Sequence, residues 1–307
     1  MGVSRLPIKI YTVDVSPKED VKGDICLYVV DNGEYLTLVE AGPSNGYIRF
    51  LNWLEENGFK TDDIKYVLLT HIHLDHGGAS GYIARDNSGV TIYVHPKGYP
   101  HLIDPSKLWR ASLDTIGYVA EVYGEPIPVP KENLVTPEDN EIIDIGEDRF
   151  KILYTPGHAS HHMSIYLEGE RILFTGDSLG LYHGGTVIPT SPKPHNVPKS
   201  IESIMKMKSL QPRKLGFTHF GMSDDAVEMI EKYEIVYRKW VKVVEEGYKM
   251  GKDITEIYRE LKAEDLYINI QERFFRSRGY GEEEVLFSLY GIYSYFEWMD
   301  MKSREGS

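Results

Sequence analysis

Residues 70–78 read THIHLDHGG, which places His71, His73, Asp75 and His76, four residues able to ligate a metal, within six positions. They follow directly on the apolar run Tyr66–Thr70, which reads as a buried strand. Alternate residues of an extended segment point the same way, so His71 and His73 can share one ion. The chain then turns at Gly77–Gly78, which lets Asp75 and His76 face a second ion.

The same arrangement recurs downstream. FKILYTPG (150–157) leads into His158, RILFTG (171–176) into Asp177, and LGFT (215–218) into His219. Each buried-strand run ends at a potential ligand, and neighbouring strands can thereby gather distant residues at one sheet edge. Seven imidazole and carboxylate ligands with no thiolate suit zinc, manganese or iron. Asp177 can bridge, giving His71, His73 and His158 to one ion and Asp75, His76 and His219 to the other. Two ions about 3.5–4 Å apart polarise an oxygen and generate hydroxide near neutral pH.

Jointly, the H-x-H-x-D-H of His71–His76, the TPGH of Thr155–His158, the TGD of Thr175–Asp177 and the TH of Thr218–His219 resemble the metallo-β-lactamase-fold hydrolase superfamily. The nearest likeness is to its glyoxalase II-like and lactonase-like branch, which includes archaeal members, and it covers roughly residues 8–247. The resemblance implies an α/β (α+β) chain folded as a four-layer αββα sandwich with a dinuclear site at one edge of two sheets. It further implies hydrolysis of a thioester, ester or lactone by a hydroxide that two divalent ions hold. Zinc is the expected metal, with iron or manganese as alternatives. Asp75 would hold one ion and orient the nucleophile, which makes it the catalytic candidate.

Two departures qualify the match. Where the family often has Asp in a DTGP turn, this chain has Val39–Glu40–Ala41–Gly42–Pro43, so Glu40 is left to accept a hydrogen bond from a ligand through a longer side chain. The commonest true β-lactamases carry Cys where Asp177 stands, so β-lactam hydrolysis is not expected as the main activity. In HASHHMS (158–164), His162 matches a supporting histidine of the family, and His161 sits where Gly is more usual, either lining the pocket or exposed on the loop. The loop 178–197 borders the substrate cleft in the family, which nominates Tyr182, His183 and His195 for substrate binding.

Two other classes compete. Persulfide dioxygenases use similar His and Asp positions to hold a single iron, and metal content discriminates them. Nucleases of the superfamily carry a large insertion or a basic arm, for which the spans between His158, Asp177 and His219 leave no room. The formal charge of −13 also disfavours phosphate-backbone binding by counterion release. A small-molecule substrate is expected, and no nucleic acid.

The 307-residue chain is 41% hydrophobic, enough for a sizeable core, which excludes disorder. A single cysteine, Cys26, excludes an internal disulfide or a multi-cysteine metal site and reads as a small buried residue. No apolar run approaches the roughly 18–20 residues of a membrane span. The opening MGVSRLPIKIYTVDV reads as an amphipathic strand without a secretory cleavage site. A cytoplasmic protein with no membrane partner is expected. Two glutamines and many Lys, Glu, Ile and Tyr resemble thermophile composition.

Helices are predicted over 48–57 and 200–210. From Asp224 onward, apolar residues at i, i+3, i+4 spacing predict further helices over 226–247, 253–263 and 282–301. A metallo-β-lactamase-like domain is expected over 1–247 and a helical extension over 248–307. Its many apolar and aromatic residues need cover on the core, over the cleft, or across a homodimer contact.

Overall fold

The structure, a computed structural model, describes residues 8–278 and 283–305. Residues 1–7 of the opening stretch and Glu282 of the predicted 282–301 helix lie outside the described residues. Six strands form the first sheet in sequence order: β1 (Lys9–Asp14), β2 (Cys26–Asp31), β3 (Leu36–Val39), β4 (Ile64–Leu68), β5 (Thr91–Tyr93) and β6 (Leu134–Val135). Pairing is antiparallel from β1 to β3 and parallel from β3 to β6. The second sheet holds β7 (Ile142–Ile145), β8 (Asp148–Tyr154), β9 (Met163–Leu167), β10 (Ile172–Phe174), β13 (Lys214–Phe217) and β14 (Gly221–Ser223), with β10 and β13 parallel. A hairpin of β11 (Leu181–His183) and β12 (Thr186–Ile188) stands apart from both.

The apolar runs are continuous because the inner strands are covered on both faces. In β2, Cys26, Tyr28 and Val30 join Phe150, Ile152, Ile165 and Phe174 between the sheets. The alternate residues Leu27 and Val29 join Phe50, Leu54 and Ile83 under the outer helices α1 (Tyr47–Glu56) and α3 (Ser80–Asp86). The four-residue turn α2 (Leu74–Gly77) falls between them in sequence, and α4 (Tyr99–Ile103), α5 (Ser106–Ile116) and α6 (Tyr118–Tyr123) follow. On the far side, Leu173, Leu215 and Phe217 pack under α7 (Val197–Ser209) and α8 (Ala226–Lys249) through Ile204, Met207, Tyr233, Tyr237 and Trp240. Helix, sheet, sheet and helix make four layers, with helices continuing beyond them.

The C-terminal part comprises α9 (Ile254–Glu264), α10 (Leu266–Arg276) and α11 (Glu283–Glu305). Asp253 opens α9 with a capping box, its carboxylate accepting from the Glu256 N–H while the Glu256 carboxylate accepts from the Asp253 N–H, both at 2.9 Å. Ile257, Tyr258, Leu261, Ile268, Phe274, Leu289 and Ile292 are buried in the same cluster as Trp240 and Tyr237. The helix α10 lies where the sequence reading had none, started by Asp265, whose side chain accepts from the Tyr267 N–H. Among the described residues no helix is long and apolar enough to cross a membrane.

Candidate metal centre

Each candidate ligand sits just past the C-terminal end of a strand: His71 and His73 after β4, His158 after β8, Asp177 after β10 and His219 after β13. Asp75 and His76 follow on the α2 turn, where the His76 N–H donates to the His73 carbonyl at 3.0 Å. The turn at Thr175–Asp177 demands glycine. Gly176 has φ +49°, and a Cβ there would lie 2.5 Å from Thr70 Oγ1 and 2.6 Å from His162 Nε2.

Two clusters result. In the first, His73 Nδ1 lies 3.0 Å from His71 Nε2 and 3.1 Å from His158 Nε2. Nitrogens held about 2.0–2.1 Å from a tetrahedral zinc ion lie about 3.3 Å apart, so the spacing fits one ion. In the second, Asp75 Oδ2 lies 3.2 Å from His219 Nε2 and 3.6 Å from His76 Nε2. Asp177 stands between: Oδ2 is 3.5 Å from His158 Nε2, while Oδ1 is 3.4 Å from His76 Nε2 and 3.9 Å from His219 Nε2. His76 Nε2 and Asp177 Oδ1 are buried and have no hydrogen-bond partner among the described residues. Most buried polar atoms in proteins are hydrogen-bonded, and these two, 3.4 Å apart among the candidate ligands, are free to face an ion.

The outer hydrogen bonds fix which nitrogen faces inward. His76 donates its Nδ1–H to Glu40 Oε1 at 2.9 Å, leaving Nε2 for the centre. Glu40 also accepts from the Thr70 N–H at 3.1 Å, the Thr70 hydroxyl and the Thr218 hydroxyl at 3.2 Å. That commits the Thr70 hydroxyl proton to Glu40, so His71 donates Nδ1–H to Thr70 Oγ1, 3.1 Å away. His158 and His219 donate Nδ1–H to the carbonyls of Thr190 at 3.2 Å and Asp24 at 2.8 Å. His162 accepts the Asp177 N–H on Nε2 at 3.1 Å and donates Nδ1–H to Thr155 or Ser178, both 2.9 Å away. It holds the carboxylate's backbone in place without joining either cluster.

Charge complements this geometry. Burial and neighbouring imidazoles push the pKa of His71 well down and that of His73 to about 3, so both rings present neutral lone pairs. His76 goes the other way: burial alone would lower it, but Asp177, Asp75 and Glu40 around it raise it well above the usual histidine range. Asp75 is held at about 2, because the imidazoles of His76 and His219 outweigh its burial. Neutral nitrogens in the first cluster, beside the carboxylates of Asp75 and Asp177, are suited to hold cations.

The remaining nominated residues lie outside both clusters. Tyr182 is half-buried, stacked on Phe217 with ring centroids 5.0 Å apart, and its N–H donates to the His219 carbonyl. His183 is exposed at the hairpin and meets the Phe274 ring edge-on at 5.3 Å. His195 is buried, its Nε2 2.7 Å from the Tyr237 hydroxyl under α8. His161 stands 5.5 Å from the His73 ring and 6.1 Å from the His71 ring, beside the first cluster.

We predict that Glu40→Gln, which turns an acceptor oxygen into a donor among buried donors, weakens metal binding about 10–100-fold and costs about 3 kcal/mol of stability. Chelator competition and thermal unfolding of the metal-loaded protein check this, and changes below about twofold in affinity would show that Glu40 is dispensable.

Residues 26–219 match the family model of the metallo-beta-lactamase superfamily. A metallo-beta-lactamase fold-containing protein of Sulfurisphaera tokodaii, ST1585, is 33% identical over 222 residues, covering 69% of this chain and 81% of the relative. The crystal structure of that archaeal protein superposes with a TM-score of 0.64 at 28% identity, over 74% of this chain and 84% of the other. A metallo-beta-lactamase family protein of Thermus thermophilus, TTHA1429, shares the fold over 95% of this chain and 94% of its own, with a TM-score of 0.68 at 21% identity. An atrochrysone carboxyl ACP thioesterase of Aspergillus fumigatus is 25% identical over 210 residues, 68% of this chain and 54% of the relative. Since the family match opens at the first residue of β2 and closes at His219, the last of the seven candidate ligands, the chain belongs to the metallo-β-lactamase superfamily.

Proposed function

We propose that the protein is a dinuclear metal-dependent hydrolase of an acyl bond in a thioester, ester or lactone. The observation that carries this reading is Asp177, whose two carboxylate oxygens reach one toward each cluster. That is the arrangement a bridging ligand needs. When bound, two divalent ions, zinc by the donor set, supply Lewis acidity toward a water and toward an acyl oxygen. His71, His73 and His158 would hold one ion and Asp75, His76 and His219 the other. Superfamily members are mostly hydrolases, and the thioesterase among the relatives supports an acyl substrate.

The chain's own groups divide the work. Of the three carboxylates, Asp75 is the most open to solvent, at 14% side-chain exposure against 6% for Asp177 and 1% for Glu40. Held ionised by its imidazole neighbours, Asp75 can accept a hydrogen bond from an incoming water and aim it at the substrate. Asp177 and Glu40 are enclosed and keep to positioning. Tyr182 and His183 on the hairpin, with His195 behind His158, are proposed as the cleft wall that sets substrate fit.

A panel of thioesters, lactones and phosphodiesters, assayed with purified metal-loaded protein, tests this. We expect turnover of an acyl substrate that chelation abolishes and zinc restores. Thiol-dependent oxygen uptake with one iron per chain, or turnover of phosphodiesters alone, would overturn it.

A further inference from the structure

The two ligands contributed by long returns of the second sheet, His158 and His219, are each oriented by a main-chain carbonyl, of Thr190 and of Asp24 respectively. Neither carbonyl belongs to a strand, so something else must keep it in place. Ser16 Oγ accepts from the N–H groups of Asp24 and Ile25, and in both cases further support comes from the C-terminal segment.

Beside Thr190, the fully buried Gln271 of α10 donates from Nε2 to the Pro189 carbonyl at 3.1 Å and to Ser288 Oγ on α11 at 2.9 Å. Gly291 of α11 lies directly against Ser191, whose carbonyl oxygen would be 1.6 Å from any Cβ at that position. The segment 189–191 is therefore clamped between two helices. Beside His219, Arg278, two residues past α10, pairs through Nε with Asp24 Oδ1 at 3.0 Å and donates from Nη2 to the Gly23 carbonyl. Its guanidinium lies 3.7 Å over the Phe274 ring and donates from Nη1 to the Phe274 carbonyl at 3.0 Å. The ion pair is enclosed, with 8% and 6% of the two side chains exposed. A buried pair contributes little net stability over an apolar replacement, so its position next to a ligand's acceptor calls for another reason.

We propose that the C-terminal helices are the positioning element of the metal centre, with Gln271 setting His158 through the Pro189–Ser191 segment and Arg278 setting His219 through Asp24. The proposal rests on the reading of the two clusters as metal sites. A ligating histidine binds best when its other ring nitrogen is anchored, because the anchor fixes both tautomer and ring angle. One helix and the residue just past it would thus tune both ions, Gln271 from the middle of α10 and Arg278 from beyond its C-terminus.

The test uses the full-length chain and single substitutions, with zinc affinities from chelator competition and cobalt(II) spectra to tell the three-imidazole ion from the carboxylate-bearing one. Arg278→Met is expected to weaken the ion of Asp75, His76 and His219 about 10–100-fold and leave the other within about twofold. Gln271→Leu is expected to do the reverse. Asp24→Asn, which keeps the carbonyl and the size but removes the charge, should reproduce Arg278→Met. If Arg278→Met does not fold, Arg278→Lys carries the same selective prediction at smaller size. Variants that weaken both ions equally, or neither, would overturn the proposal in favour of a packing role. A wild-type protein that binds fewer than two ions would overturn the reading of the site itself, and the proposal with it.

Discussion

Asp177→Ala is expected to cost the protein both metal ions and its hydrolytic activity together. Asp177 has an oxygen near each cluster, 3.5 Å from His158 Nε2 on one side and 3.4 Å from His76 Nε2 on the other. Its removal also takes away the principal counter-charge to His76, a buried imidazole surrounded by acids. Ions bound by the remaining six ligands would face each other without the shared carboxylate whose charge offsets their repulsion. We expect weak, sub-stoichiometric metal and a fall in kcat/KM beyond the roughly 10²–10³-fold cost of losing a single preorganised donor. Elemental analysis beside the kinetics decides. Full metal content in the Asp177→Ala protein would show that the carboxylate does not bridge.

Truncation after Gly247 is expected to leave a chain that does not fold as a soluble monomer. Trp240, Tyr237 and Val244 of α8 would lose the cover of α9 to α11, and all three are fully buried in the intact chain. The seven buried side chains removed (Ile257, Tyr258, Leu261, Ile268, Phe274, Leu289 and Ile292) represent roughly 10–20 kcal/mol of transfer free energy before conformational entropy is counted. Domains are stable by only about 5–15 kcal/mol, so a loss even a fraction of that size decides the fold. Gel filtration and thermal unfolding measure it. A monomeric truncated protein with unchanged melting temperature and activity would show that the extension is dispensable.

How much of this was legible in the sequence depends on where the information sits. The seven candidate ligands were legible because imidazole and carboxylate are carried by residue type, and because each follows an apolar run bounded by Gly or Pro. The strands were legible for a related reason, since those covered on both faces read as continuous apolar runs, as Cys26–Val30 does, while their arrangement in a four-layer sandwich followed from the family resemblance. Glu40 was only half legible. Its place was given, but its reach to Thr70, His76 and Thr218 depends on a backbone turn with φ +75°, which no side-chain pattern announces. The acceptors at Thr190 and Asp24 left no signal at all, because every residue type has a carbonyl.

The same distinction explains the elements that were missed. The hairpin of β11 and β12 was read as loop because its strands are three residues each and close through Gly184–Gly185, at φ +57° and +79°. Helices α4 and α6 are five and six residues long, and α5 has no fully buried side chain, although its half-buried Leu108, Trp109, Leu113 and Ile116 keep a helical spacing that was passed over. Helix α10 spends buried positions on Gln271 and Glu272, which breaks the apolar stripe that would have revealed it. Those polar positions are where it meets the rest of the molecule.

The central claim is a pair of ions bridged by Asp177, and the most direct measurement is anomalous scattering at the zinc edge from crystals of the zinc-loaded protein. The account predicts two peaks per chain about 3.5–4 Å apart, with one Asp177 oxygen toward each. A single peak, or two peaks with Asp177 bound to only one of them, would contradict it.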